Sequence, residues 1–154
     1  MNRSSRYRDA PTGVSEGVPL HLWIVGVLSL AWNTFGAFDY TMTNMRNPGY
    51  LAGFPAEMIA TIDVMPLWAH AGWSFGVWGS LVGSILLLVR SRFAFGAFAL
   101  SLLGLATSTI WQELTPLPPA MREPGMIWMN LAIWVIVVGL LLYARRMTAR
   151  GILR

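Results

Sequence analysis

Four long apolar stretches, residues 20–39, 66–89, 93–111 and 126–144, occupy more than half of this 154-residue chain. Each is close to the roughly 20 residues that an α-helix needs to cross the hydrocarbon core of a bilayer. In that medium every backbone N–H and C=O has to be bonded inside the protein, and a helix does this within a single segment. The expected fold is therefore all-α, an integral membrane four-helix bundle with spans at about 20–39, 66–89, 93–111 and 126–144.

The basic residues orient it. Arg3, Arg6 and Arg8 precede the first stretch, Arg90 and Arg92 lie between the second and third, and Arg145, Arg146, Arg150 and Arg154 follow the fourth. Only Arg46 and Arg122 fall in the other two connections. By the positive-inside rule, both termini and the short middle turn face the cytoplasm, an N-in/C-in arrangement in a bacterial inner membrane. Residues 1–17 form a basic cytoplasmic tail, residues 18–146 a single transmembrane domain, and residues 147–154 a second basic tail.

Composition sets limits on this reading. The chain is 55% hydrophobic and 12% charged, whereas soluble domains carry about 25% charged residues. The length suits one bundle and leaves no room for a second folded domain. All eleven basic residues are arginine, and the net charge of +4 sits mainly at the cytoplasmic edge, next to lipid headgroups. The bilayer, not nucleic acid, is the expected partner. Cysteine is absent, which removes disulfides, thiolate metal sites, covalent haem attachment and a cysteine nucleophile together. The first stretch exceeds the usual 7 to 15 residues of a signal-peptide core and has no small-x-small site behind it, so it is expected to stay as an anchor.

Along the chain, Val18-Pro19-Leu20 starts the first span with a proline in its first turn. Its outer third changes character, with Trp32, Asn33, Thr34, Gly36, Asp39 and Tyr40 close together. The connection 41–65 is long. Asn47-Pro48-Gly49 is a turn signal there, and Phe54-Pro55 begins a short amphipathic outer helix carrying Met58, Ile59, Ile62 and Met65 on one side. That helix lies on the outer membrane surface or folds over the mouth of the bundle. The connection 112–125 holds Pro116, Pro118, Pro119 and Pro124, which rule out a long helix.

Small residues mark the packing. Gly72, Gly76, Gly79, Ser80 and Gly83 recur at helical spacing on the second span, and Ser101, Gly104 and Ser108 do so on the third. Such stripes let helices approach closely in lipid. With a short turn around Ser91, spans two and three are expected to form an antiparallel hairpin.

The chemistry-capable residues collect at the outer side: Asp39 and Tyr40 ending span one, His70 and Trp73 near the start of span two, Gln112 and Glu113 ending span three, and Asn130 near the start of span four. Two readings stay open. In one, Asn33, Asp39, Tyr40, His70, Trp73, Glu113 and Asn130 line an outward-facing polar pocket, walled by Trp32, Trp111 and Trp128, with the carboxylates as acceptors or proton carriers. In the other they end helices and satisfy loop backbone, and the tryptophans anchor at headgroup level.

Cofactor and catalytic templates are not met. His21 and His70 lie at opposite ends of their spans, about a membrane thickness of roughly 30 Å apart, so they do not share a haem. Asp39, His70 and Glu113 lack metal-motif spacing, and no metal or other cofactor is expected. Neither a phosphate-binding glycine loop nor a nucleophile elbow is present, so no catalytic residue is assigned and an enzyme is not expected. No broken-helix pair or inverted repeat points to a transporter.

The series Trp32-Asn33-Thr34-x-Gly36-x-x-Asp39-Tyr40, Pro66-x-Trp68, Trp73-x-x-Gly76-Val77-x-Gly79, Gly83-Ser84 and Leu88-x-Arg90 resembles a group of small, uncharacterised bacterial inner-membrane proteins sometimes labelled "sugar transporter". The resemblance covers most of the first three spans. It implies a four-helix membrane protein, lends some weight to transport, and carries over no site residue. The expected function is that of a non-enzymatic accessory or interaction protein, self-associating or packed in a larger membrane complex. The alternative is a small-solute binder or transporter using the outer pocket, its ligand unspecified.

Overall fold

The computed structural model describes residues 18–154; the basic tail expected over residues 1–17, with Arg3, Arg6 and Arg8, lies outside the described residues. The chain runs through α1 (Leu20–Asn44), α2 (Pro48–Leu51), α3 (Ala56–Asp63), α4 (Leu67–Leu88), α5 (Ala94–Leu114), a 3-10 turn (Pro119–Arg122) and α6 (Pro124–Ala149). Four of these, α1, α4, α5 and α6, are long and apolar enough to cross a membrane.

Proline sets the starts. Pro19, Pro55 and Pro66 stand immediately before α1, α3 and α4 with φ of −66°, −58° and −66°, and Pro124 is the first residue of α6. Each supplies a helix-compatible φ where an N–H would have no intrahelical acceptor.

The ends share a different device. After α1, the Asn47 N–H reaches the Met42 carbonyl at 3.1 Å and the Arg46 N–H reaches Thr43 at 3.2 Å. After α4, Ser91 bonds to Leu86 and Arg90 to Leu87, at 2.8 and 3.1 Å. After α6, Ile152 bonds to Met147 and Gly151 to Thr148, at 3.0 and 2.9 Å. These are Schellman closures, which satisfy the last carbonyls by placing one residue in the left-handed region. Glycine fills that place after α6 (φ 70°), but arginine fills it after α1 and α4 (φ 52° and 60°). The left-handed conformation costs a residue with a Cβ roughly 1–2 kcal/mol. Both arginines have side-chain contacts to set against it: Arg46 pairs with Asp63, and Arg90 Nε donates to the Ile152 carbonyl at 3.3 Å.

α4 stands between α1 and α5, and α5 between α4 and α6. Phe98, Leu22 and Leu87 are fully enclosed at one end, in a cluster with Ala94, Leu140, Ala144, Met147 and Leu153. There α1 and α6 also meet, His21 Nδ1 lying 2.5 Å from the Tyr143 hydroxyl with the two rings edge to face. This end carries Arg90, Arg92, Arg145, Arg146, Arg150 and Arg154, and is called the arginine-rich end below. The chain beyond α6 folds back across it: the Arg154 N–H donates to the Arg90 carbonyl at 2.8 Å and the Arg92 N–H to the Arg154 oxygen at 2.9 Å.

At the opposite end, α3 packs against the 3-10 turn. Its apolar side points inward, with Met58 buried and Ile59, Ile62 and Met65 partly covered, while Glu57 and Asp63 are exposed. The Asn47-Pro48-Gly49 signal forms a single helical turn instead of a simple turn, because the Asn47 side chain accepts the Tyr50 N–H at 3.0 Å and caps it.

Candidate functional site

Asn33 is the most buried of the residues expected to line the outer pocket. It is buried in α1, and its amide donates to Ser84 Oγ at 2.8 Å and to the Ser80 carbonyl at 3.2 Å, both on α4. Ser84 Oγ in turn donates to the Ser80 carbonyl at 3.0 Å. The group joins two helices, and α4 supplies both partners because its serines are four residues apart on one face. No polar side-chain atom is buried without a partner among the described residues.

The remaining polar residues meet in twos and threes at the end away from the arginines. Asp39 accepts the Tyr50 hydroxyl at 2.5 Å, and Tyr50 is stacked edge to face on Phe38. Tyr40 lies across from His70, hydroxyl to Nε2 at 3.5 Å, and both rings lean on Trp73 with centroids 4.7 and 5.8 Å away. Asn130 donates to Gln112 at 3.4 Å, joining α6 to α5, and Glu113 is exposed. Asp39, His70 and Asn130 each belong to a separate small group. Trp111 is buried, whereas Trp32 and Trp128 are exposed on the flanks of α1 and α6. Among the described residues no three of His, Asp and Glu come together in a metal-holding group.

Tyr50 escaped the sequence reading, since an aromatic residue in a loop carries no spacing signal. Its phenol is pushed up to about 12, first by the hydrogen bond to Asp39, then by burial and by the negative charge of Asp39. A raised phenol favours the folded state fully below its ordinary value of about 10, and that contribution fades as pH climbs from 10 towards 12. Asp39→Asn is expected to return the Tyr50 titration towards 10. The ultraviolet phenolate signal, read as the difference between parent protein and Tyr50→Phe, checks it; a Tyr50 transition already near 10 in the parent would contradict the pairing.

The small residues define the tightest contact in the molecule. A Cβ on Gly79 would stand 3.0 Å from the Ser101 nitrogen and 3.1 Å from the Ala97 carbonyl, and one on Gly83 would press on the Phe98 ring at 2.8 Å. Gly72 faces Thr107, Gly76 faces the backbone of Gly104 and Leu105, and Ser101 Oγ donates to the Gly76 carbonyl at 2.6 Å. Ser108 is buried and bonds within its own helix, to Gly104. Gly26, which belongs to no stripe, faces the Leu88 side chain where α1 crosses α4.

Among the described residues, two open grooves lie at the arginine-rich end. One, of about 290 Å³, is lined by Val89, Arg90, Ser91 and Arg154; the other, of about 610 Å³, lies between the start of α5 and the end of α6. None of the polar residues of the acidic end lines either groove. No protein-family model, curated protein or solved structure is detectably similar to the chain.

Proposed function

We propose that this is a non-enzymatic accessory or interaction protein of a bacterial inner membrane, with both termini in the cytoplasm. The observation that carries the reading is the uneven cover of the four long helices. Among the described residues, only 11% of the apolar window of α6 is buried, against 28 to 33% for the other three. Ile127, Met129, Leu131, Val135, Val138 and Leu142 are left on its flanks. An uncovered helix suits contact with a second copy or with a helix of a larger complex, where packing and lipid entropy drive association. The pairing of Asp39 with Tyr50, His70 with Tyr40 and Asn130 with Gln112 supports the same reading, since those groups are already occupied with each other.

A photo-reactive residue at Val135 or Leu142 is expected to cross-link protein, while one at Phe35, on the exposed side of α1, reacts with lipid. Native mass spectrometry in mild detergent showing only a lone monomer, together with lipid adducts alone at 135 and 142, would defeat the proposal. As a check on the transport alternative, the triple variant Asp39→Asn, His70→Ala, Glu113→Gln is expected to leave uptake of labelled sugars into proteoliposomes at the parent level, which is that of empty vesicles. Uptake by the parent that the triple variant loses would favour the alternative.

The orientation has its own test. The natural chain has no cysteine, so single replacements report cleanly. Ala149→Cys is expected to resist a membrane-impermeant maleimide in intact spheroplasts and to react after lysis, and Ala52→Cys to react in both.

A further inference from the structure

The larger groove has two unlike walls. Arg92, just before α5, and Arg145, in the last turns of α6, supply the cationic side chains of its lining; Phe93, Phe95, Gly96, Thr148 and Ala149 complete it, and most of its surface is apolar. Both arginines are exposed. The Arg92 guanidinium lies over the Phe93 ring, 5.4 Å from its centroid, a cation–π contact that restrains the cation. A Cβ on Gly96 would meet nothing within 4 Å, so the floor of the groove is open.

Charge balance identifies what belongs there. Asp39, Glu57, Asp63, Glu113 and Glu123 all lie at the opposite end, and among the described residues the one salt bridge, Arg46 with Asp63, is there too. Among the described residues no acidic side chain lines this groove, and its two arginine side chains match a phosphate diester, which takes paired N–H donors from arginine. The first-turn N–H groups of α5 add a partial positive charge on the same side. The aromatic wall is the second half of the match. A free phosphate gains nothing from Phe93, Phe95 and Gly96, but the glycerol and upper acyl chain of a phospholipid cover them at the depth where the helices enter the membrane. Basic recesses between membrane helices take anionic headgroups in this way.

We infer that this groove is a binding site for one anionic glycerophospholipid, with its phosphate between Arg92 and Arg145 and an acyl chain along Phe95 and Gly96. The assignment needs the helices to span a bilayer but is independent of which leaflet holds the arginine-rich end, and independent of whether α6 has a protein partner.

The test uses the full chain, phosphatidylglycerol, phosphatidylcholine and inorganic phosphate, read by native mass spectrometry. The parent is expected to keep one phosphatidylglycerol in preference to phosphatidylcholine and to keep no inorganic phosphate. Each arginine near an anionic headgroup contributes roughly fivefold in affinity, so Arg92→Gln with Arg145→Gln loses on the order of 20-fold. Arg146→Gln, a neighbour that does not line the groove, keeps the preference. A diazirine-bearing phosphatidylglycerol added to the parent gives a readout that needs no variant: adducts should map to residues 92–96 and 145–149. Equal retention of the two lipids, retention of inorganic phosphate alone, an unchanged double variant, or adducts concentrated on the exposed side of α1 would overturn the assignment.

Discussion

Gly104→Val separates α4 from α5. A Cβ at this position would overlap the Gly72 carbonyl oxygen and the Gly76 nitrogen, and it would stand 3.0 Å from the Gly76 Cα. All three are backbone atoms, so no rotamer change clears the space and the helices themselves have to move apart. Moving them also lengthens the Ser101 hydroxyl bond to the Gly76 carbonyl and loosens the Phe98 ring from Gly83. Overpacking a close-packed site costs typically 1–3 kcal/mol, and a backbone collision is at or above the top of that range, about 3 kcal/mol or more. Thermal or detergent unfolding followed by far-UV circular dichroism measures it. Gly139→Ala is the control, since a Cβ there meets nothing within 4 Å. It is expected to lie within about 1 kcal/mol of the parent. Equal stability for the two variants would show that α4 and α5 do not pack on this face.

Asn33→Asp is the second large effect, and it is expected to exceed Asn33→Leu. Asparagine donates to two oxygens, Ser84 Oγ and the Ser80 carbonyl. A carboxylate in the same place has no proton to donate and turns an oxygen towards the Ser80 carbonyl, inside an apolar span. Insertion scales put a central aspartate at about 2.5–3.5 kcal/mol. Leucine removes the donor without leaving a stranded acceptor, because Ser84 Oγ still bonds to the Ser80 carbonyl at 3.0 Å. Interhelical hydrogen bonds of this kind contribute about 0.6–2 kcal/mol in membranes, so the leucine variant sits near the bottom of that scale. Unfolding of both variants in the same detergent gives the order directly; a leucine variant as unstable as the aspartate one would mean that volume, not hydrogen bonding, governs the position.

The long helices start within a residue or two of the apolar stretches, and α4 also ends within one residue of its stretch, but the other three run on. Apolar stretches expected to end at 39, 111 and 144 continue as helix to Asn44, Leu114 and Ala149. Hydropathy falls at Asp39, Gln112 and Arg145, but the backbone ladder does not depend on side-chain polarity. It stops where a residue turns left-handed, as at Arg46 and Gly151, or where Thr115 adopts an extended conformation before Pro116. Gly151 is a recognisable stop. Arg46 and Arg90 are not, since arginine has no preference for that conformation and takes it here beside side-chain contacts with Asp63 and Ile152.

For the polar residues the limit is of another kind. That Asp39, His70, Glu113 and Asn130 share one end follows from counting along four antiparallel spans. Who meets whom does not, because pairing across helices depends on their rotation and on the path of the 45–66 connection, which carries Tyr50 back to Asp39.

Residue order alone specifies the number of long helices, the prolines that start three of them and the separation of most arginines from most acids, because length, hydropathy and charge accumulate along one dimension. The meeting of Asn33 with Ser80 and Ser84, the fold-back of Arg154 onto Arg90 and Arg92, and the groove between α5 and α6 arise only when the helices pack, since each depends on atoms far apart in the chain arriving within a few ångströms of one another.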